Sequence, residues 1–160
     1  MERKLMEDLN NTNRTDWEHL PDIELYLDQV ISYLSRDQIQ GSPEAELTQS
    51  MVNNYVKEKL LPRANGKKYK REHLVYLKMI NALKQVFNVK EIKELLSTFA
   101  SEKTPETMFS AYQGALIHAT ERGSAELTDE PAADLAMQFA VQSYVYKMIA
   151  KRLLEQVTPE

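Results

Sequence analysis

The stretch of sequence that decides the fold is residues 47–77, LTQSMVNNYVKEKLLPRANGKKYKREHLVYL. Its first half has apolar residues at the spacing of one face of an α-helix, namely Val52, Tyr55, Val56 and Leu60. Thr48 can cap this helix, because its hydroxyl can accept a hydrogen bond from a backbone N–H of the first turn. We therefore predict a helix over about residues 48–60 that ends before Pro62 and whose outward face carries Gln49, Ser50, Asn53, Asn54 and Lys57.

The second half of this stretch predicts a small basic ribbon followed by a helix. Residues 63–69, RANGKKY, contain Asn65-Gly66, a dipeptide that strongly favours a hairpin turn. Too few residues flank the turn for more than a short two-stranded ribbon. The next apolar pattern predicts a helix from about Arg71 to Phe87, broken by Asn88.

Charge is distributed unevenly along the chain. Residues 51–93 contain eleven lysines and arginines against three glutamates, a net charge of +8; since the whole chain carries −4, the remainder carries −12. Grouping like charges costs self-repulsion, which an anionic partner such as nucleic acid would relieve. Charge alone leaves a second interpretation open, in which the basic face contacts acidic parts of the same chain.

Helices are also predicted on both sides of the basic segment. Ile23, Leu27, Val30, Ile31 and Leu34 share one face of a helix that would begin near Pro21, and residues 35–46 read as a loop. A further helix covers 89–99, VKEIKELLSTF. Another begins at the cap Thr104 with Pro105 in its first turn and ends at Gly123, and the last runs from about 128–131 to Gln156.

The last predicted helix carries two apolar stripes and therefore needs two partners. It is either central to a helix bundle or shared with a second subunit. Methionines and aromatic residues of the C-terminal half could instead line a pocket for a small apolar effector, although a filled core explains them as well. These residues are Met108, Phe109, Tyr112, Met137, Phe139, Tyr144, Tyr146 and Met148.

Composition excludes several function classes. The chain has no cysteine, which rules out disulfides, thiolate metal sites and cysteine nucleophiles. No run approaches eighteen apolar residues and the start MERKLMEDLNN has no apolar core, so we expect a cytoplasmic protein without a membrane span. His19, His73 and His118 are scattered, and no nucleophile motif or glycine-rich loop is present. We expect neither catalysis nor a metal or cofactor.

Residues 47–96 resemble the winged-helix DNA-binding domain of the MerR family of bacterial transcription regulators. The order of parts agrees: a capped helix, the exit Leu60-Leu61-Pro62, a basic wing ending in tyrosine, and two further helices. The family pattern V-S-x-x-T-[IL]-R-Y-Y-E-x-x-G-L-L-P aligns with residues 47–62 without a gap, but Asn53 replaces an arginine and Lys59 replaces the glycine. From about residue 16 to 155, the chain also resembles an uncharacterised bacterial family, the domain of unknown function 1836.

The MerR resemblance implies an all-α fold with a minimal β-wing and a C-terminal helical dimerisation part. Residues 1–19 are polar and read as a flexible segment, and the resemblance divides the rest into a winged-helix domain 20–100 and a C-terminal part 101–160. It implies a homodimer that binds double-stranded DNA, with the 48–60 helix in the major groove and the wing 63–70 on phosphates. The candidate DNA-binding residues are Thr48, Gln49, Ser50, Asn53, Asn54, Tyr55, Lys57, Lys59, Arg63, Lys67, Lys68, Tyr69, Lys70 and Arg71.

The competing interpretation is a protein-interaction or scaffold module whose basic face binds an acidic partner. It uses the same residues, so a salt dependence of binding would not distinguish it, whereas a preference among duplex sequences would. Operator sequence, regulated genes and the direction of regulation cannot be derived from these residues.

Overall fold

The computed structural model describes residues 15–36 and 46–157, together with residues 4, 6–8 and 10. Its α-helices are α1 (Leu27–Arg36), α2 (Gln49–Lys57), α3 (Arg71–Leu83), α4 (Val89–Glu102), α5 (Pro105–Ala125) and α6 (Ala132–Val157). A 3-10 helix covers Trp17–His19, and two short strands, β1 (Leu25–Tyr26) and β2 (Lys68–Tyr69), pair antiparallel. The predicted fold class, all-α with a minimal β element, is confirmed. Most of the predicted loop 35–46 lies outside the described residues.

The first helix begins at Leu27, so the prediction that it starts near Pro21 is wrong. Leu25 pairs with Tyr69 and Tyr26 pairs with Lys68, which removes both residues from the helix. The backbone N–H of Tyr26 then donates to the side-chain oxygen of Gln29 at 2.9 Å, an arrangement that satisfies an unpaired donor of the first turn. Ile23 therefore lies outside the helix and is 65% exposed.

The basic ribbon forms, but its strand β2 also pairs with β1, which lies near the start of the chain. Asn65 and Lys68 exchange two backbone hydrogen bonds, of 3.0 and 3.2 Å, and so close a two-residue turn whose central residues are Gly66 and Lys67. Gly66 has a φ of +64°, as the first central residue of a type II′ turn requires. The structure therefore joins three segments, namely β1, β2 and the segment at Asn65, where the sequence predicted a ribbon of two.

The helix predicted over 48–60 ends at Lys57. The N–H of Leu60 donates to Tyr55 O at 2.9 Å and the N–H of Lys59 donates to Val56 O at 3.1 Å. Together these bonds form a Schellman motif, which requires a left-handed residue after the helix. Lys59 occupies that position with a φ of +61°.

The remaining helix boundaries follow the capping residues. α3 ends at Leu83, four residues before the predicted Phe87, and Asn88 caps α4 through a capping box with Glu91. Thr104 caps α5 as predicted, since its hydroxyl accepts from the N–H of Thr107 at 3.3 Å. Gly123 does not end α5, which continues to Ala125.

One hydrophobic core surrounds α3. The buried side chains of α3 pack with Val30 and Leu34 of α1, Val52 of α2, and residues of α4 and α5. Leu20 is also buried, and the backbone oxygen of Thr15 accepts a hydrogen bond from the Gln113 side chain. The segment predicted to be flexible, 1–19, is therefore attached to the core at its C-terminal end.

Candidate nucleic-acid interface

The outward face of α2 is polar and exposed, as predicted. Its exposed residues are Gln49, Ser50, Asn53, Asn54 and Lys57. Val52 and Tyr55 on the opposite face are buried in the core, which fixes the rotation of the helix. Thr48 is committed to its own helix, because its hydroxyl accepts from the N–H of Met51 at 3.2 Å. The face thus presents side-chain amides, the groups that can pair with adenine edges, beside one cation.

Two candidate residues do not reach this surface. Tyr55 and Tyr69 are each only 7% exposed and belong to the hydrophobic core. Desolvation by this burial raises the pKa of both phenols above 10.0. Both tyrosines thus pack with the core, as residues of an apolar stripe do, and their contact with DNA stays a prediction.

Arg71 makes contacts within the fold. Its guanidinium lies 5.2 Å from the ring centroid of Trp17, and its Nη2 donates to the backbone oxygen of Leu20 at 3.1 Å. A cation above an indole face and a charged hydrogen bond both stabilise this position. Arg71 therefore holds the N-terminal segment onto α3, which the sequence-based assignment to DNA phosphates did not predict.

The remaining cations of the basic ribbon point to solvent. Arg63, Lys67, Lys68 and Lys70 are exposed, as are Lys57 and Lys59 at the end of α2. Lys68 Nζ lies 5.6 Å from the ring centroid of Tyr26. The ion pairs of the described residues include those of His19, Lys90, Lys103, Lys151 and Arg152. In the same part of the chain, none of these six cations forms an ion pair. In the described part of the chain, their charge is thus not neutralised by the protein's own acids.

His73 connects the two ends of the basic ribbon. Its Nδ1 accepts from the N–H of Lys70 at 2.8 Å, and its Nε2 lies 3.1 Å from the backbone oxygen of Arg63. Because an amide N–H can only donate and a carbonyl can only accept, the ring is neutral with its proton on Nε2. The ring also makes an edge contact with Tyr69, at 5.4 Å between centroids. No role was predicted for His73 from the sequence; its position three residues after the helix cap Lys70 is the signal for this one.

The candidates for an apolar effector pocket lie in different parts of the described structure. Met108 and Phe109 are buried in the core around α3, at 0% and 1% exposure, and Tyr112 packs against it. The other candidates lie on α6, where Met137, Tyr144, Tyr146 and Met148 are exposed. Phe139 is half-buried, and with Tyr146 it lines a cavity of about 230 Å³ formed by residues of α5 and α6. The candidates are thus divided between the core, the exposed face of α6 and this cavity.

The described residues contain neither a cluster of three His, Asp or Glu side chains suited to a metal ion nor a helix long and apolar enough to cross a membrane. A cavity of about 420 Å³ does lie beside the end of α2, lined in part by Lys57, Lys59, Arg63 and Lys93. Lys93 was not among the candidate site residues, because it lies on α4, more than twenty residues beyond the ribbon in sequence.

Comparison with known proteins identifies a family without an assigned activity. No curated protein matches the chain, and no solved structure matches it either. Residues 15–114 match the family described as "Domain of unknown function (DUF1836)". This region contains the 3-10 helix, both strands, α1–α4 and the first half of α5, and thus the basic ribbon with its supports. Since it covers more than half of the 160 residues, the chain belongs to the DUF1836 family.

Proposed function

We propose that this protein is a DNA-binding transcription regulator of MerR-like type, which acts in the cytoplasm as a homodimer. The observation that carries the proposal is the group of exposed cations at the end of α2 and on the ribbon, which have no acidic partner among the described residues. α2 would enter the major groove with its amide-bearing face, and the ribbon would bind phosphates.

The proposed contacts divide into two classes. Gln49, Asn53 and Asn54 are exposed amide side chains on α2 and would read base edges. The cations at positions 57, 59, 63, 67, 68 and 70 would neutralise phosphates, which gives affinity without sequence information. Thr48, Tyr55, Tyr69 and Arg71 are left out of both classes because their side chains cap α2, lie in the core or contact Trp17 and Leu20.

The exposed apolar stripe of α6 supports the homodimer. Met137, Val141, Tyr144 and Met148 follow one another at spacings of four, three and four residues, and all are exposed. This is the spacing by which two helices pack side by side, and an uncovered stripe of this kind is costly in water. A second copy of α6 would cover it.

Duplex binding is tested by fluorescence anisotropy with a mixed-sequence duplex over a series of salt concentrations. The logarithm of the affinity should fall with the logarithm of the salt concentration by about 0.9 for each phosphate neutralised. The double variant Lys67→Glu/Lys68→Glu should show a slope shallower by about two. The control, Lys90→Glu/Lys147→Glu, makes the same change in net charge on α4 and α6, away from the ribbon, and should keep the wild-type slope.

Absence of duplex binding by the wild type at low salt would refute the proposal. It would favour the protein-interaction module, in which the same cations bind an acidic protein. Equal losses in the ribbon variant and its control would show that net charge, and not the ribbon, controls binding.

The dimer is tested separately by light scattering. Val141→Glu places a charge in the middle of the stripe and should give a monomer, whereas Gln138→Glu, one turn earlier, adds the same charge outside it and should leave the dimer intact. A wild-type monomer at working concentration would contradict this part of the proposal.

A further inference from the structure

The cavity beside the end of α2 combines an apolar floor with a cationic rim. Its volume of about 420 Å³ is within the range of sites for small molecules, roughly 300–1,000 Å³. The floor includes Leu60 and Leu96, which are buried, and the half-buried Val56 and Tyr76. A molecule that fits this cavity therefore needs an apolar body.

Four cations from separate segments surround this floor. Lys57 ends α2, Lys59 occupies the Schellman turn, Arg63 begins the ribbon and Lys93 comes from α4. All four are exposed, none forms an ion pair among the described residues, and no aspartate or glutamate lines the cavity. Positive charges around a concave apolar surface concentrate their field there, which favours an anionic group at the rim.

The backbone at Lys59 is consistent with a role for its side chain. A left-handed φ costs a residue with a Cβ roughly 1 kcal/mol relative to glycine, and such conformations occur often at functional sites. The Schellman turn itself would favour glycine. Lysine at this position instead adds a charge to the rim of the cavity.

We propose that the cavity binds a small aromatic molecule that carries a phosphate group. The aromatic body would occupy the apolar floor beside Tyr76, and the phosphate would lie among the four cations, where the Arg63 guanidinium can bind two of its oxygens at once. Lys57, Lys59 and Arg63 would also bind DNA phosphates under the proposed function. The ligand and the duplex therefore compete for these three cations. Only this competition rests on the proposed function; binding of the ligand to the cavity does not.

The binding step is tested without DNA, by isothermal titration with 1-naphthyl phosphate. Two comparison compounds separate the parts of the ligand: 1-naphthol lacks the charge, and inorganic phosphate lacks the apolar body. We expect 1-naphthyl phosphate to bind at least about tenfold more tightly than either. Equal binding of 1-naphthol would overturn the cationic part of the site, and equal binding of inorganic phosphate would overturn the apolar part.

A pair of variants on α4 locates the site. Lys93→Glu reverses a charge at the rim and should weaken binding of 1-naphthyl phosphate by about tenfold or more. Lys90→Glu makes the same change one turn earlier, on a residue that does not line the cavity, and should stay within about twofold of the wild type. Equal effects of the two variants would overturn the assignment of the cavity.

Competition is then measured by adding 1-naphthyl phosphate to the duplex-binding assay. It should raise the apparent Kd of the wild type for the duplex but have little effect on Lys93→Glu. Conversely, Lys67→Glu/Lys68→Glu should keep its affinity for 1-naphthyl phosphate while losing duplex affinity. If the wild type binds 1-naphthyl phosphate but no duplex, the site stands and the proposed function fails. If the wild type binds both without interference, competition is refuted.

Discussion

Replacing His73 by alanine tests whether one buried side chain holds both ends of the basic ribbon. The ring is 2% exposed, accepts from the N–H of Lys70 and donates to the backbone oxygen of Arg63. Each hydrogen bond contributes about 1 kcal/mol, and leaving a part-buried partner unsatisfied adds to the loss. With the lost contact to Tyr69, we expect the free energy of unfolding to fall by about 2–4 kcal/mol.

Urea denaturation measures this loss, and two further variants make it specific. His118→Ala removes an exposed histidine and should change stability by less than about 0.5 kcal/mol. His73→Gln should fall between the wild type and His73→Ala, because glutamine three residues after a helix cap can still accept from the backbone N–H of Lys70. It cannot at the same time reach Arg63 as the imidazole does.

Hydrogen exchange gives the local result. The amide of Lys70 should lose protection in His73→Ala and retain part of it in His73→Gln. A stability loss no larger than that of His118→Ala, together with unchanged exchange at Lys70, would refute the reasoning.

Three further predictions concern single residues. Lys59 holds a left-handed φ, which glycine adopts without the steric cost of a Cβ. Lys59→Gly should therefore raise the free energy of unfolding, measured in urea, by about 0.5–1 kcal/mol. The control Lys57→Gly, in α2, should lower it by about the same amount. The hydrogen-bonded ion pair with Lys151 of α6 lowers the pKa of Glu91 below its ordinary 4.5. The stability that this pair contributes is therefore present above pH 4.5 and is lost as the pH falls through the lowered pKa. Glu91→Gln should lower the free energy of unfolding by about 0.5–1 kcal/mol in urea near pH 7, and this difference should disappear in acid. Arg71→Gln should lower the free energy of unfolding by about 1 kcal/mol, because the guanidinium contacts Trp17 and Leu20. For the same reason it should leave the salt dependence of duplex binding unchanged. A shallower slope of affinity against salt concentration would show that Arg71 binds phosphate.

Local signals in the sequence were sufficient to predict most helices and turns. Thr48 and Thr104 cap their helices as expected, and a hairpin turn forms at Asn65-Gly66, with Gly66 and Lys67 as its two central residues. In each case the deciding interaction joins residues at most three apart. An apolar stripe at helical spacing likewise identifies a helix, because burial of that stripe is the main source of helix stability in a protein.

Contacts between distant segments were not predictable in this way. β1 consists of two residues, too short for an alternating pattern, and its partner β2 lies more than forty residues later. The contact of Arg71 with Trp17 spans a similar distance. The sequence of a basic segment does not distinguish an arginine or lysine that binds a phosphate from one that packs on an indole ring.

Periodicity also could not show which apolar residues are covered. Met108 and Met137 both lie at helical spacing from other apolar residues, yet Met108 is 0% exposed and Met137 is 67% exposed. The difference depends on how α5 and α6 pack against the rest of the chain, which the pattern of each helix does not contain. The same limit applies to the cavity, whose rim combines Lys93 with cations from three other segments.

Duplex binding can be weakened either by removing the contacts that hold the basic ribbon in place or by changing the charges that the ribbon carries. β1 pairs with one side of the ribbon, and His73 joins its two ends. A ribbon held in this way presents the charges of Lys67 and Lys68 in a fixed position, which reduces the ordering cost of binding. His73→Ala removes a neutral ring and keeps every cation, so it should lower duplex affinity while leaving the slope against salt almost unchanged. Lys67→Glu/Lys68→Glu should change the slope itself. A change of slope in His73→Ala would contradict this reasoning. It would mean that the ring supports the cations mainly by stabilising the whole fold, and not by positioning the ribbon.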